Sequence, residues 1–146
     1  MGLEGDGRIR WRCHLRSSPE AVFRLLDTAE GRTRFWAEHA DERDGVIELA
    51  FSNGQTLAAR ILCREPPTLF EFNYFNDSTA RFELEPDGAG GTELTFTEEG
   101  LDADDLLENL SGWVSVLLGL KAAADFGIDL RNHDSSRTWE RGYIDV

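Results

Sequence analysis

DADDLLENLSGWVSVLLGLKAAADFGIDL, residues 102–130, is the stretch whose reading decides the fold. Leu106, Leu110, Trp113, Leu117, Leu120 and Ala124 recur at steps of four and three, the period of an α-helix. Val114 and Leu118 widen the apolar arc on one flank and Val116 on the other, while Glu108, Gly112, Ser115, Gly119 and Ala122 fall on the opposite side. An arc that broad needs a large surface to lie against. Asp102 marks the helix start, with Asp104 and Asp105 in a first turn where negative charge suits the helix dipole. Gly112, Gly119 and Gly127 each cost roughly 1 kcal/mol relative to alanine, so packing rather than propensity must hold the helix.

The partner surface is written in the preceding residues as short strands. Ile9, Trp11, Cys13 and Leu15 alternate with Arg8, Arg10, Arg12, His14 and Arg16, the pattern of a strand with one face buried and one solvated. Ser17 or Ser18 followed by Pro19 and Glu20 predicts a capped helix start, with Val22, Phe23, Leu25 and Leu26 as its buried face. A second short helix is expected over 28–34, ending at Phe35-Trp36. Strands are then predicted over 46–51, 56–64, 69–75, 79–85 and 92–98, with Asp44-Gly45 and Asn53-Gly54 as hairpin turns. Period two assigns Ile47, Leu49 and Phe51 inward, then Leu57, Ala59, Ile61 and Cys63, then Phe70, Phe72 and Tyr74. Ala80, Phe82 and Leu84, and finally Leu94 and Phe96, complete that face. No crossover helix separates these strands, so the sheet is antiparallel.

Composition bounds the function. The 146 residues fit one domain, with 1–7 as a loose lead-in and 131–146 as a tail extension whose Trp139 and Tyr143 suggest docking. Two cysteines are too few for a disulfide framework. No run approaches the ~20 apolar residues that span a bilayer, and the expected location is the cytoplasm. The net charge is −13; residues 1–64 carry ten arginines and ten acids, so the whole excess lies in 65–146. Such a surface repels phosphate backbones, which argues against nucleic acid and anionic membranes as partners.

Four motifs point to a family. They are Ser18-Pro19-Glu20-Ala21-Val22-Phe23 running on to Phe35-Trp36; Glu65-Pro66-Pro67 before Leu69-Phe70-Glu71-Phe72; Gly91-Thr92-Glu93-Leu94-Thr95-Phe96 with Gly100-Leu101; and Gly112-Trp113 with Leu117, Leu120 and Lys121. In this order they resemble the START-like (SRPBCC) superfamily, in the branch related to the C-terminal domain of the activator of Hsp90 ATPase. The resemblance implies an α+β helix-grip fold. A curved antiparallel sheet of about six strands carries two short helices after the first strand, and a long C-terminal helix crosses its concave face. It also implies an apolar cavity between helix and sheet for a hydrophobic or amphipathic small molecule.

Chemistry-bearing residues are sparse. His14, His39 and His133 show no metal-ligand spacing, and no cofactor motif appears. Asp102, Asp104 and Asp105 read as helix capping, because the glycine and closing glutamate of a calcium loop are missing. Cys13 and Cys63, on predicted inward faces, read as inert thiols. Glu83 and Glu85, like Glu98 and Glu99, read as solvated carboxylates, and no catalytic acid–base pair stands out. The candidate ligand-binding residues are therefore Trp36, Phe51, Phe72, Tyr74, Phe82, Phe96, Asn109, Trp113, Val116, Leu117 and Leu120, with His39 as a further polar contact. The alternative for these aromatics is that they fill the core. Three functions follow: a binding protein for a hydrophobic molecule; an interaction module, co-chaperone-like or dimerising, using the tail 131–146; and a cyclase- or hydrolase-like enzyme, which some relatives are.

Overall fold

Alternation along the strands resolves into one antiparallel sheet in a computed structural model, which describes residues 2–146. Its strands are β1 (Gly2–Leu3), β2 (Ile9–Leu15), β3 (His39–Arg43), β4 (Val46–Ala50), β5 (Thr56–Glu65), β6 (Leu69–Asn73), β7 (Thr79–Pro86) and β8 (Thr92–Glu99). The helices are α1 (Pro19–Asp27), α2 (Ala29–Arg32) and α3 (Leu106–Phe126). The strands lie in the order β1-β2-β8-β7-β6-β5-β4-β3. This is the expected helix-grip arrangement with eight strands instead of about six.

The two additional strands are the sheet edges. β3 reads HADER and buries only Ala40, so it carries no alternation to detect. Its existence follows from the turn instead: Asp44 and Gly45 both have positive φ (51° and 76°), the geometry that folds β3 back on β4. β1 pairs Gly2 with Arg10 and Leu3 with Ile9, so the lead-in begins as part of the sheet. Of the outward arginine row, Arg8 meets Glu4 at 2.7 Å and Arg10 meets it at 3.5 Å.

The start of α1 is as expected, and that of α2 is capped in the same way. Ser18 Oγ accepts from the Ala21 N–H at 3.2 Å, and Thr28 Oγ1 caps α2 through the Gly31 N–H at 3.0 Å. Arg32, within the predicted second helix, is buried. Its guanidinium donates to the Ala40 carbonyl (2.7 and 3.1 Å) and the Leu26 carbonyl (3.0 Å), tying α1 to β3. Burying a charge is tolerated only with such pairing.

Two expectations about faces are corrected. Cys63 belongs to the outer face, because the register of β5 against β6 shifts between Ile61 and Cys63, setting Cys63 opposite Glu71. One extra residue in a strand reverses every later side chain. On α3 the buried face is rotated from the expected one. Val114 and Leu118 are exposed, while Gly119 and Ala122, expected on the far side, are buried. The cause is the chain after α2, which lies against that flank: a Cβ on Gly119 would stand 3.2 Å from the Phe35 carbonyl oxygen. A Cβ on Gly112 meets nothing within 4 Å.

The two glycines therefore separate in a thermal melt. Gly112→Ala should stabilise by about 1 kcal/mol through helix propensity. Gly119→Ala should lose that gain to the clash and come out neutral or destabilised. Equal stabilisation by both would show that the Phe35 segment is not against the helix.

α3 also begins and ends inside the predicted span. Residues 102–105 form a turn, with the Asp105 N–H donating to the Asp102 carbonyl at 3.1 Å. Gly127, at φ 65°, ends the helix, and the N–H groups of Gly127 and Ile128 close on Ala123 and Ala122. Near that end Asp125 accepts from the N–H groups of Arg16 and Ser17 (both 3.0 Å), from Ser17 Oγ (2.9 Å) and from Lys121 (3.1 Å). Burial works against the charge, yet these donors prevail and hold the carboxyl down to about 2. The carboxylate thereby locks the C-terminal half of α3 to the turn between β2 and α1.

Candidate functional site

Under the middle of α3 the space between helix and sheet is solid. Trp113 packs on Phe96 with ring centroids 4.1 Å apart, on Tyr74 at 4.9 Å, and on Phe82 and Trp36 at 6.0 Å. Phe72, Phe82, Phe96, Leu117 and Leu120, expected as ligand-binding residues, are buried in this packed core. They do not reach the cleft described next.

Open space lies instead at one end of the grip, beside the N-terminal half of α3. A cleft of about 370 Å³ is formed there. Four parts of the chain wall it: the segment after α2, the β4–β5 turn, the β6–β7 turn and α3, with the C-terminal tail across its mouth. Six expected residues line it: Trp36, Phe51, Tyr74, Asn109, Trp113 and Val116. The Trp36 indole donates to the Tyr74 hydroxyl at 3.3 Å, and burial pushes the Tyr74 phenol above its ordinary range. His39 lies elsewhere, exposed on β3 beside Asp41 at 3.4 Å.

The β6–β7 turn contributes Phe75 and Asn76 because Asn76 and Asp77 take positive φ (54° and 64°). Asn76 Nδ2 then reaches Asp105 at 2.7 Å and joins this turn to the start of α3. Gly112 leaves the helix surface bare where it faces the cleft.

Behind this wall lies a group that was expected in solvent. Glu98 continues the inward series Leu94, Phe96 and is fully buried. Its Oε1 accepts from Ser78 Oγ at 2.6 Å and from Asn109 Nδ2 at 3.2 Å, and its Oε2 accepts from Trp113 Nε1 at 2.6 Å. Burial pushes the carboxyl up, against the three donors. Glu98 is not part of the cleft lining; it orients Asn109 and Trp113, which are. Period two was the signal for it, and the charge of the residue masked that signal.

The tail supplies the remaining wall. Arg131 donates to the Ala37 carbonyl at 3.0 Å, to the Thr33 carbonyl and to Asp129 at 2.9 Å. Burial opposes the Asp129 charge, but Arg131 holds that carboxyl down to about 2. His133 Nδ1 meets Glu38 at 2.8 Å and its Nε2 meets Asp129 at 2.8 Å, and Asp129 chiefly raises the imidazole above its ordinary value. Glu140 accepts from Asn53 Nδ2 at 2.6 Å. Trp139, Glu140 and Val146 are thereby brought to the cleft. The tail docks on its own chain, as its aromatic content suggested, leaving Tyr143 and Ile144 exposed.

Among the described residues no group of three or more His, Cys, Asp or Glu side chains is placed to hold a metal ion. Nor, among the described residues, is any helix long and apolar enough to cross a membrane.

Comparison with known proteins bears on the scaffold. The model of the family described as Activator of Hsp90 ATPase homolog 1-like protein matches residues 16–125. Comparison with curated proteins finds no match. Among solved structures, protein SSP2350 of Staphylococcus saprophyticus is similar at 27% identity, over 83% of this chain and 93% of that one, with a TM-score of 0.72. The Aha1 dimer of Colwellia psychrerythraea is 22% identical over 82% of this chain and 97% of that one, with a TM-score of 0.74. DynU16, of the dynemicin biosynthetic locus, shares 15% identity over 87% of this chain and 55% of that one, with a TM-score of 0.73.

Proposed function

From membership of the Activator of Hsp90 ATPase homolog 1-like family, to which this chain belongs, we propose that it is a small-molecule binding protein whose cleft holds an apolar or amphipathic ligand. The observation that carries this reading is the cleft itself: about 370 Å³ walled by Trp36, Tyr74 and Trp113, with the bare surface of Gly112 beside them. That volume is within the range of roughly 300–1,000 Å³ common for ligand pockets, and aromatic walls with a few polar tips are their usual chemistry. The chemistry present is recognition. Glu98, the one buried carboxyl nearby, is enclosed by three donors and serves the wall.

Gly112→Phe tests this directly, since it places a ring in the cleft from an unobstructed position on α3. Binding of a neutral apolar dye, read by tryptophan quenching or calorimetry, should weaken at least about ten-fold while the melting temperature holds. Dye binding unchanged by the ring would overturn the reading.

A second reading is favoured by the outer face of α3. Leu107 (77% exposed), Val114 and Leu118 (54%) form an apolar line at helical spacing. An association of two copies through this face is the alternative, in keeping with the dimer described for the Colwellia protein.

A further inference from the structure

The charge around the cleft names the class of ligand, an inference that rests on the binding reading above. Glu38, Asp105, Glu108 and Glu140 place carboxylates on its lining. Asp105 and Glu140 are tied to the neutral amides of Asn76 and Asn53, which leave their charge uncompensated. Glu108 stands exposed at the mouth.

The cations nearby are already engaged. The Arg131 side chain is 5% exposed, and its N–H groups are directed to two carbonyls and to Asp129. His133 is held between Glu38 and Asp129. An anionic head group would therefore meet like charge with no free cation among the described lining residues to receive it. A positive one would meet opposite charge at the rim and the half-buried aromatic side chains of the lining, Phe51, Phe75 and Trp139. Attraction for one class and repulsion of the other is how sites discriminate. We infer that the cleft selects lipophilic cations, with an ammonium-type head among the carboxylates and an apolar or aromatic body against the aromatic side chains of the lining.

Three probes that share a phenylbutyl body and end in trimethylammonium, hydroxyl or carboxylate separate the possibilities. Binding to the full chain is measured by calorimetry at low salt, with the indole N–H signals of the tryptophans as a second readout. The cation should bind about ten-fold tighter than the alcohol, with the carboxylate weakest. The preference should shrink in Glu108→Gln and in high salt. Alcohol and cation binding equally well would overturn the charge preference and leave the cleft reading intact. Cation binding that ignores Gly112→Phe would reveal counter-ion attraction to an acidic surface and overturn the inference. Binding of none of the three would remove both readings.

Discussion

Truncating Trp113 to alanine should lower the unfolding free energy by about 3–5 kcal/mol, the cost of deleting a large buried aromatic. The value belongs at the upper end for two reasons visible in the packing. The indole is the point where Trp36, Tyr74, Phe82 and Phe96 converge, so no single neighbour can collapse into the gap. Its N–H is also a donor to the buried Glu98 carboxylate, which would lose one of its three partners. Chemical denaturation with an unchanged m-value is the measurement, and a midpoint unshifted by the substitution would mean that the helix does not sit on the sheet as described. Trp113→Phe should cost less, because it removes the donor but keeps most of the ring volume.

Glu98 gives the second large effect, and its sign with pH is diagnostic. Glu98→Ala strips the acceptor from Ser78, Asn109 and Trp113 at once and should cost about 3 kcal/mol or more, since each stranded buried donor costs roughly 1–3 kcal/mol. Glu98→Gln keeps an oxygen for the indole and turns an N–H toward the Ser78 hydroxyl, which can accept it, while the Asn109 amide must flip to present its oxygen, so the variant should fold well. The carboxyl is raised in the folded state, chiefly by burial. The folded protein therefore holds this proton more tightly than the unfolded chain. The resulting stability is complete below the unfolded value of about 4.3 and is lost as pH rises through the raised folded value. Relative to Glu98→Gln, the parent should thus grow less stable as pH rises from about 4 through the raised folded value. A parent that instead gains on the variant as pH rises would mean that the three donors outweigh burial.

What the chain displays openly is whatever repeats. The steps of four and three from Leu106 to Ala124 gave α3, and the Ser18-Pro19 start gave α1, both placed correctly to within a few residues. What it hides is decided by contacts between distant segments. The rotation of α3 depends on the backbone at Phe35 pressing on Gly119, which no periodicity within the helix contains. A single register shift at Ile61/Cys63 turned Cys63 outward. β3 has no apolar alternation because it is an edge. Glu98 keeps phase with Leu94 and Phe96, but its charge argues for solvent and hides that position.

The candidate site was legible to about the same depth. Trp36, Tyr74 and Trp113 stand out as large aromatics on inward-facing stretches, and all three reach the cleft. Phe72, Phe82 and Phe96 have the same signature and lie in the core, because alternation reports which side of a sheet a residue takes and not how far along it the filling stops. Gly112 shows the limit most plainly: what it contributes is the absence of a side chain.

One consequence follows from where the tail lies. The span matched to the family ends at residue 125, whereas Arg131, Trp139, Glu140 and Val146 border the recess from beyond it. The proposed site thus joins a floor inside the matched span to a doorway outside it. On the binding reading proposed above, exchanging the doorway would change which guests are admitted without altering a core residue, so selectivity should be transferable by grafting residues 131–146.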